Sequence, residues 1–255
     1  MSELSREYIN HFNQQSGQYL LCRPDYPGEL FDYLTQLVDA SATVWDCGTG
    51  NGQAAKELAS RFSKVIATDI NQSQLDVAAQ LKNINYICSS AEHTPITTGS
   101  ISLVTIAQAL HWFNFPAFYQ EVKRVSSPDG VIAAWCYSLG TFGNDLDDII
   151  KKLYYEILGA EFWPKERFYI DEHYQTIPFP FTPIVGPQFY INKKLTFSQF
   201  IGYLSTWSAV KEYQLRQQKN PIELVYDDLQ SHWGDINSGQ IIHWPLHCLF
   251  GRVHL

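Results

Sequence analysis

A regular alternation of apolar runs and amphipathic segments between residues 43 and 137 constrains the fold of this chain more than any other feature. Short apolar runs that end in turn residues are typical of buried strands, and apolar residues spaced three and four apart are typical of helices. Since parallel neighbours need right-handed crossover connections, the alternation predicts an α/β fold, with a mostly parallel sheet and helices on both faces. The strand pattern occurs five times: TVWDCG (43–48), KVIATD (64–69), INYICSS (84–90), ISLVTIAQAL (101–110) and VIAAWCY (131–137).

Helical spacing surrounds these runs, and turn residues separate the two patterns. Asn71 and Asn114 are placed to cap two of the helices through their side chains. The sequence Ser-Pro-Asp-Gly at 127–130 predicts a turn before the fifth strand. In sheets of this kind ligands bind beyond the carboxyl ends of the strands, so the site is expected there. The helical stretches cover 28–39, 54–62, 71–81 and 114–125.

The pattern changes after residue 137. Residues 241–253 predict two late strands or a bent hairpin, which gives a seven-stranded sheet. We interpret 138–187, which is rich in aromatic residues and proline, as an insertion that forms a lid over the site. The whole chain, 1–255, is predicted to be one domain that opens with a helical segment over 1–40. Further helices are expected over 144–158, 197–210 and 222–233.

The net charge of −8 and the isoelectric point of about 5.4 limit the possible partners. A chain that follows a nucleic-acid backbone presents a basic field, whereas lysine and arginine occur here in short pairs such as Lys193–Lys194. No apolar run reaches the length of a membrane span. Aromatic residues make up 15% of the chain, which fits a well-filled core and also an aromatic-lined pocket. We expect a small-molecule partner, no nucleic acid and no membrane span.

Cysteine usage and the N-terminal segment indicate the compartment. The cysteines are odd in number and widely spaced, which favours free thiols over a disulfide framework. The polar N-terminal segment, MSELSREYINHFNQQSG, lacks the pattern of a signal peptide. Together these features predict a cytoplasmic protein. Cysteine and histidine do not occur at spacings typical of zinc ligands, so we expect no metal site. The five cysteines are Cys22, Cys47, Cys88, Cys136 and Cys248.

Three alternate glycines, Gly48, Gly50 and Gly52, follow the first strand in the sequence TVWDCGTGNGQAA. A phosphate-binding loop needs the pattern GxxxxGK[ST], and a dinucleotide loop needs GxGxxG, whereas position 53 is Gln. The spacing that begins at Asp46 instead resembles the first motif of S-adenosylmethionine (SAM)-dependent methyltransferases with a Rossmann-like fold. Glycine permits close backbone approach and positive φ angles around the small zwitterionic end of this cofactor. The resemblance implies that Asp46 and the three glycines bind SAM.

Residues after the second and third strands extend this resemblance. Asp69 ends the second strand, where an acidic side chain can accept hydrogen bonds from both ribose hydroxyls, with a helix-entry role as the alternative. The sequence SSAEHTP (89–95) resembles the adenine-binding turn of the family. Glu92 in this turn has a solvated position as its alternative. The further residues that we assign to cofactor binding here are Ile70, Ser90, Ala91 and Glu92.

A fourth segment, AQALHWFNFPAF (107–118), resembles the trans-aconitate methyltransferase-like branch, also described as methyltransferase type 11. RPDYP (23–27) and FSQFIGYLSTWSAV (197–210) carry the same resemblance. It therefore extends over most of the chain and is weakest over 140–190. The implied protein is an enzyme, a SAM-dependent methyltransferase that acts on a small-molecule acceptor.

The resemblance assigns roles to side chains at this branch's motifs. Gln108 would line the methionine portion of SAM, and Tyr19 and Arg23 would fold over its carboxylate. His111 and Trp112 are the candidate catalytic residues, because they would face the transferred methyl group and the acceptor. A structural role for His111 and a packing role for Trp112 are the alternatives.

The chemistry of the cofactor limits the chemical class of the methyl acceptor. Because the methyl group is bound to a sulfonium, transfer needs alignment and desolvation more than covalent assistance. A carboxylate is ionised at neutral pH and needs no base, whereas an alcohol or phenol would need one, for which His111 is the candidate. The resemblance implies O-methylation of a small carboxylic acid. Lys165 and Arg167 could hold a second carboxylate or form a solvated turn.

Other classes of protein remain possible on the sequence. The chain could bind SAM without catalysis, or methylate a nitrogen or carbon acceptor. An NAD(P)-dependent oxidoreductase is disfavoured by the glycine spacing and by the lack of a Tyr-x-x-x-Lys pair after the fifth strand.

Overall fold

The computed structural model describes residues 24–254, which form two compact units. The sheet unit comprises Asp25–Ser138, Phe168–Tyr190 and the end of the chain from Pro245. The helical unit comprises Leu139–Arg167 and Ile191–Trp244. The segment 138–187 is therefore divided between the two units, and its role as a lid stays a prediction, as does the description of the chain as one domain.

The strands form one eight-stranded sheet, so the predicted α/β class is confirmed with one strand more than expected. They are β1 (Thr43–Cys47), β2 (Lys64–Asp69), β3 (Ile84–Cys88), β4 (Ile101–Ala107), β5 (Ser126–Tyr137), β6 (Thr182–Pro183), β7 (Phe189–Leu195) and β8 (Gln240–Arg252). Their order is β3-β2-β1-β4-β5-β8-β6, and β7 pairs with β8. The first five strands in this order are parallel, and β8 is antiparallel to β5. In the sheet, β2 and β3 follow β1 on one side, and β4 and β5 follow it on the other. The strand order therefore reverses at β1, and a binding crevice is expected at the carboxyl end of this strand.

The helices that connect these parallel strands confirm the predicted alternation. Asn71 and Asn114 accept hydrogen bonds from the backbone amides of Ser73 and Ala117, as expected of caps. The helix predicted over 71–81 is too long, because it ends at Asp76. The apolar residues beyond it are largely solvent-exposed and give the helix no burial to stabilise it. The helices are α1 (Gly28–Leu37), α2 (Gln53–Ala59), α3 (Gln72–Asp76) and α4 (Phe115–Val125), with a 3₁₀ turn at Leu110–Trp112.

Strand β5 begins earlier than predicted and contains the expected turn as a bulge. Ile101 of β4 is opposite Ser126, but Leu103 is already opposite Val131, so residues 127–130 are accommodated by a register shift. The late hairpin predicted over 241–253 is wrong, because β8 is a single strand there. Its residues 246–252 pair with β5, so Pro245, which has no N–H to donate, precedes that ladder.

The helices of the helical unit are less regular than the long helices predicted from the sequence. The stretch 144–158 begins as an α-helix and continues as a π-helix, and the stretch 197–210 is interrupted at Trp207, whose backbone is extended. Among residues 24–254, no helix has both the length and the apolar character needed to cross a membrane. The remaining helices are α5 (Leu146–Lys151), the π-helix Lys152–Leu158, α6 (Gly159–Phe162), α7 (Arg167–Asp171), α8 (Phe197–Ser205), α9 (Ser208–Gln217), a 3₁₀ turn at Pro221–Leu224 and α10 (Tyr226–Trp233).

Candidate functional site

A cavity of about 360 Å³ lies in the sheet unit, where residues that follow β1, β2, β3 and β4 converge. This volume lies in the range of sites for small molecules and cofactors. Ser89, Ala109 and Phe113 line it without having been predicted, and each is adjacent in sequence to a predicted residue. The predicted site residues that line it are Gly48, Asp69, Ile70, Ser90, Ala91, Glu92, Gln108 and Trp112.

Other predicted residues support the wall of the cavity from behind or lie elsewhere. Asp46, Gly50, Gly52 and His111 are not among the residues that line the cavity. Tyr19 and Arg23 lie outside the described residues.

The three glycines form a loop in which every one has a positive φ angle: 68° at Gly48, 56° at Gly50 and 80° at Gly52. Residues with a Cβ atom adopt this region only with strain. A Cβ on Gly48 would lie 2.7 Å from the Cβ of Ala109, and one on Gly52 would collide with the Tyr86 hydroxyl. Glycine is therefore required at Gly48 for the shape of the cavity and at Gly52 for packing beneath it.

Asp46 anchors this loop from inside the sheet. Its fully buried carboxylate accepts hydrogen bonds from the hydroxyls of Thr49, at 2.6 Å, and Thr105, at 2.8 Å. Burial raises the pKa of Asp46 to about 6, although the two hydroxyls favour the ionised form. The side chain thus fixes β1, β4 and the glycine loop relative to one another.

Asp69 makes the helix-entry contact and keeps acceptor capacity toward the cavity, so its ribose role stays a prediction. Oδ2 accepts a hydrogen bond from the backbone amide of Gly50, and Oδ1 accepts one from Asn71, both at 2.8 Å. The second bond is the helix-entry role. Each carboxylate oxygen can accept two hydrogen bonds, so both retain capacity toward the cavity that Asp69 lines. An aligned pair of acceptors on a fixed carboxylate fits the two hydroxyls of a ribose.

The turn after β3 is held by two acidic side chains. Glu92 Oε1 accepts a hydrogen bond from the backbone amide of Asn114, at 3.1 Å, which ties the turn to the start of α4. Glu121 accepts bonds from the amide and hydroxyl of Thr94, both at 2.7 Å, and pairs with Arg124 at 2.6 Å. Burial opposes ionisation of Glu121, but these bonds lower its pKa to about 2. Glu121 was missed in the sequence, where its signal is an acid and an arginine three positions apart on α4.

Gln108 shapes the wall through its backbone and its side chain. Its φ angle of 55° is in the left-handed region, which a non-glycine residue occupies at a cost of about 1–3 kcal/mol. Its side-chain Oε1 accepts a hydrogen bond from the Tyr137 amide at 2.9 Å, and Nε2 donates to the Tyr137 carbonyl at 3.3 Å. The amide group therefore continues the pairing of β4 with β5 while the main chain turns toward the cavity.

His111 and Trp112 have different environments. Trp112 is 56% exposed and lines the cavity, whereas His111 is buried and its Nδ1 lies 2.9 Å from the Tyr174 hydroxyl. Burial raises the pKa of Tyr174 well above its ordinary value, so that hydroxyl stays protonated. We assign the tautomer in which this hydroxyl donates to Nδ1 and the ring proton of His111 is on Nε2.

The two predicted cations are in the helical unit. The Arg167 Nε donates to the Tyr154 hydroxyl at 2.6 Å, and the guanidinium lies over the rings of Trp163, at 4.8 Å, and Tyr154, at 5.3 Å. Arg167 is thus packed in an aromatic cluster and is not part of a solvated turn, whereas Lys165 is exposed. Within residues 24–254, no group of three or more His, Cys, Asp or Glu side chains could hold a metal ion.

Comparison with known proteins agrees with this site. Residues 45–134 match a family described as the methyltransferase domain. A Dictyostelium discoideum protein provisionally named a methyltransferase is 36% identical over 226 residues, which cover 88% of this chain and 86% of that protein. An uncharacterized methyltransferase of Mycobacterium bovis is 31% identical over 238 residues, 91% of each chain. A solved structure from Anaeromyxobacter dehalogenans, provisionally described as a type II methyltransferase, has a TM-score of 0.85 and 34% identity, and covers 91% of this chain and 98% of that one.

The fold and site define an α/β enzyme with a cofactor crevice at the carboxyl end of its parallel strands. The chain belongs to the methyltransferase family, and its cofactor is SAM. The cavity volume, the glycine position that a side chain would block and the acceptors of Asp69 all fit this cofactor. The oxidoreductase alternative is thereby set aside.

Proposed function

We propose that this enzyme methylates an oxygen of a small carboxylic acid. The contact that carries the proposal is the hydrogen bond between Tyr174 and His111. In the tautomer that we assign to His111, Nε2 carries a proton and can donate a hydrogen bond, but it cannot remove a proton from the methyl acceptor. His111 was the candidate base, so an acceptor that must first lose a proton is disfavoured. A carboxylate arrives already ionised.

With such an acceptor the chain has little proton chemistry to perform. Bound SAM supplies a methyl group activated by its sulfonium, which an oxygen anion can attack in line. Asp69 and the glycine loop bind and orient the cofactor, and Gln108 sets the direction of the adjoining wall. Trp112 and Phe113 give that wall apolar surface, which excludes water from the anion and raises its reactivity.

We infer that the enzyme is related to the trans-aconitate methyltransferase-like branch, on the residues AQALHWFNFPAF and RPDYP. Tyr19 and Arg23 would bind the carboxylate of SAM, and residues 138–187 would form a lid. The acidic charge supports a small molecule over a nucleic acid, and the cytoplasm is the proposed location.

The test is a panel of carboxylic acids, phenols, amines and sterols incubated with methyl-labelled SAM. We expect label in an alkali-labile ester, released as methanol, and turnover that is flat from about pH 7 to 9 because no base titrates. The variant Tyr174→Phe frees Nδ1 of His111 and serves as the matched control for the tautomer. Label found on nitrogen or carbon alone would show that the acceptor class is wrong and would leave the methyltransferase assignment intact.

A further inference from the structure

Two stacked histidines lie in the sheet unit and are not among the residues that line the cavity. The rings of His173 and His247 are nearly parallel, at 12°, with centroids 3.9 Å apart. His247 is on β8 opposite Cys136 of β5, and its Nε2 lies 3.0 Å from the hydroxyl of Ser138. A serine and two imidazoles thus form one polar cluster where β5 ends.

The backbone that presents His173 is strained. His173 and Tyr174 have φ angles of 55° and 61°, two successive non-glycine residues in the left-handed region. Such backbone strain is concentrated at functional sites. The same turn directs one side chain, Tyr174, toward His111 and the other, His173, onto His247. The turn therefore links the cluster to the cavity wall.

The cluster is also joined to the cavity through β5. Gln108 lines the cavity, and its side-chain amide pairs with the backbone of Tyr137. Ser138 is the next residue after that pair. The cluster therefore begins one residue beyond the backbone that the cavity-lining Gln108 holds.

His247 offers an uncharged imidazole ring at neutral pH. Burial, and then the charge of His173, lower the pKa of His247 to about 4. The groups around it are Cys136 on β5, Ser138 just after β5, Cys248 on its own strand and His173 on the strained turn. Burial raises the pKa of Cys248 to about 12, so that thiol is also uncharged.

The geometry points to an acceptor subsite, formed by Ser138, His173 and His247, that holds one carboxylate oxygen and leaves the other to attack. This inference rests on the proposed function. As the O–CH₃ bond forms, the CH₃–S bond breaks with its electron pair left on sulfur, and no proton moves. The hydroxyl of Ser138 and the uncharged ring of His247 orient the carboxylate while its charge stays available for attack. A full cation in the same place would bind the acid more tightly and make it less reactive.

The first test is kinetic and uses whichever acid the panel identifies. We expect His247→Phe, which keeps the ring stack, to raise KM for the acid about tenfold or more and to leave S-adenosylhomocysteine affinity unchanged. His247→Lys places a fixed cation there and is expected to lower both KM and kcat. The control His232→Phe alters an exposed histidine on α10, which bonds within its own helix, and should change neither constant.

The second test needs no turnover. Butanoate and longer monocarboxylates are titrated into the full-length protein saturated with S-adenosylhomocysteine, and histidine ring resonances are followed by NMR. We expect saturable shifts at His173 and His247 that disappear in Ser138→Ala, a smaller change that keeps both rings if His247→Phe fails to fold.

The outcomes separate the two proposals. Shifts at the pair without ester formation support the anion subsite and reject carboxylate methylation. Ester formation with unchanged KM and kcat in His247→Phe rejects the subsite and leaves the proposed function standing. If neither the histidine resonance shifts nor ester formation is observed, the acceptor subsite and the proposed function are both rejected.

Discussion

Replacing Gly48 with alanine measures how closely the glycine loop and the cavity wall are packed. Gly48 has a φ of 68°, and an added Cβ would lie 2.7 Å from the Cβ of Ala109 and 3.1 Å from Cζ of Phe113. Both neighbours line the cavity. The Phe113 ring can shift by a few tenths of an ångström, but the Ala109 Cβ is fixed by its backbone, so the wall itself must move.

The expected cost has two parts. Alanine in the left-handed region costs about 1–2 kcal/mol. Overpacking against a fixed neighbour costs about 1–3 kcal/mol. Gly50→Ala is the matched control, because Gly50 has a φ of 56° but the nearest atom to its added Cβ is Gln74 Oε1 at 3.9 Å. We therefore expect Gly48→Ala to lose about 2–5 kcal/mol of unfolding free energy and Gly50→Ala to lose only the strain, about 1–2 kcal/mol.

The assay is urea unfolding combined with calorimetric titration of S-adenosylhomocysteine. A double-mutant cycle with Ala109→Gly isolates the collision, because it removes the nearest atom and leaves the strain at Gly48. Gly48→Ala should weaken ligand binding at least about tenfold, equivalent to 1.4 kcal/mol, and Ala109→Gly should restore part of the lost stability. Equal losses in Gly48→Ala and Gly50→Ala, with no coupling to Ala109→Gly, would refute the packing argument.

Three further predictions concern the carboxylates around the cavity. The folded pKa of Asp46 is raised from 3.8 to about 6, so its ionisation lowers the stability of the fold as pH rises through this interval. In urea unfolding, Asp46→Asn should therefore gain up to about 3 kcal/mol of stability relative to wild type between pH 4 and 7. A difference that stays constant over this range would contradict the raised pKa. The pKa of Glu121 is lowered from 4.5 to about 2, so its stabilisation of the fold is complete above pH 4.5 and is lost as pH falls toward 2. Glu121→Gln should lower the free energy of unfolding by about 1–3 kcal/mol at pH 7 and by less at pH 3. An equal loss at both pH values would contradict the ion pair with Arg124. Asp69→Ala should weaken S-adenosylhomocysteine binding about tenfold or more, since two hydrogen bonds to a charged acceptor are lost. The wild-type protein should not bind NAD. Calorimetry that shows unchanged affinity for S-adenosylhomocysteine in Asp69→Ala would reject the ribose assignment.

The sequence by itself determined the class of fold and the presence of a cavity at the carboxyl ends of the parallel strands. Each buried strand carries its own apolar run, and each connecting helix carries its own spacing, so these elements are visible in short windows. The glycine loop, Asp69 and the turn after β3 were located for the same reason, because each follows the strand that positions it. Residues at parallel strand ends meet at one edge whatever the details of packing.

Tertiary structure alone decided which side chains contact one another. The Tyr174 hydroxyl reaches His111 across 63 positions, and Ser138 reaches His247 across 109, and neither pair leaves a local pattern. The same holds for α3, which ends early because the residues beyond it are not covered, and for β7, which pairs with the late strand β8. The spacing of apolar residues indicates whether a residue is buried. The identity of its neighbour depends on how distant segments pack, and this packing is determined by the energy of the whole fold.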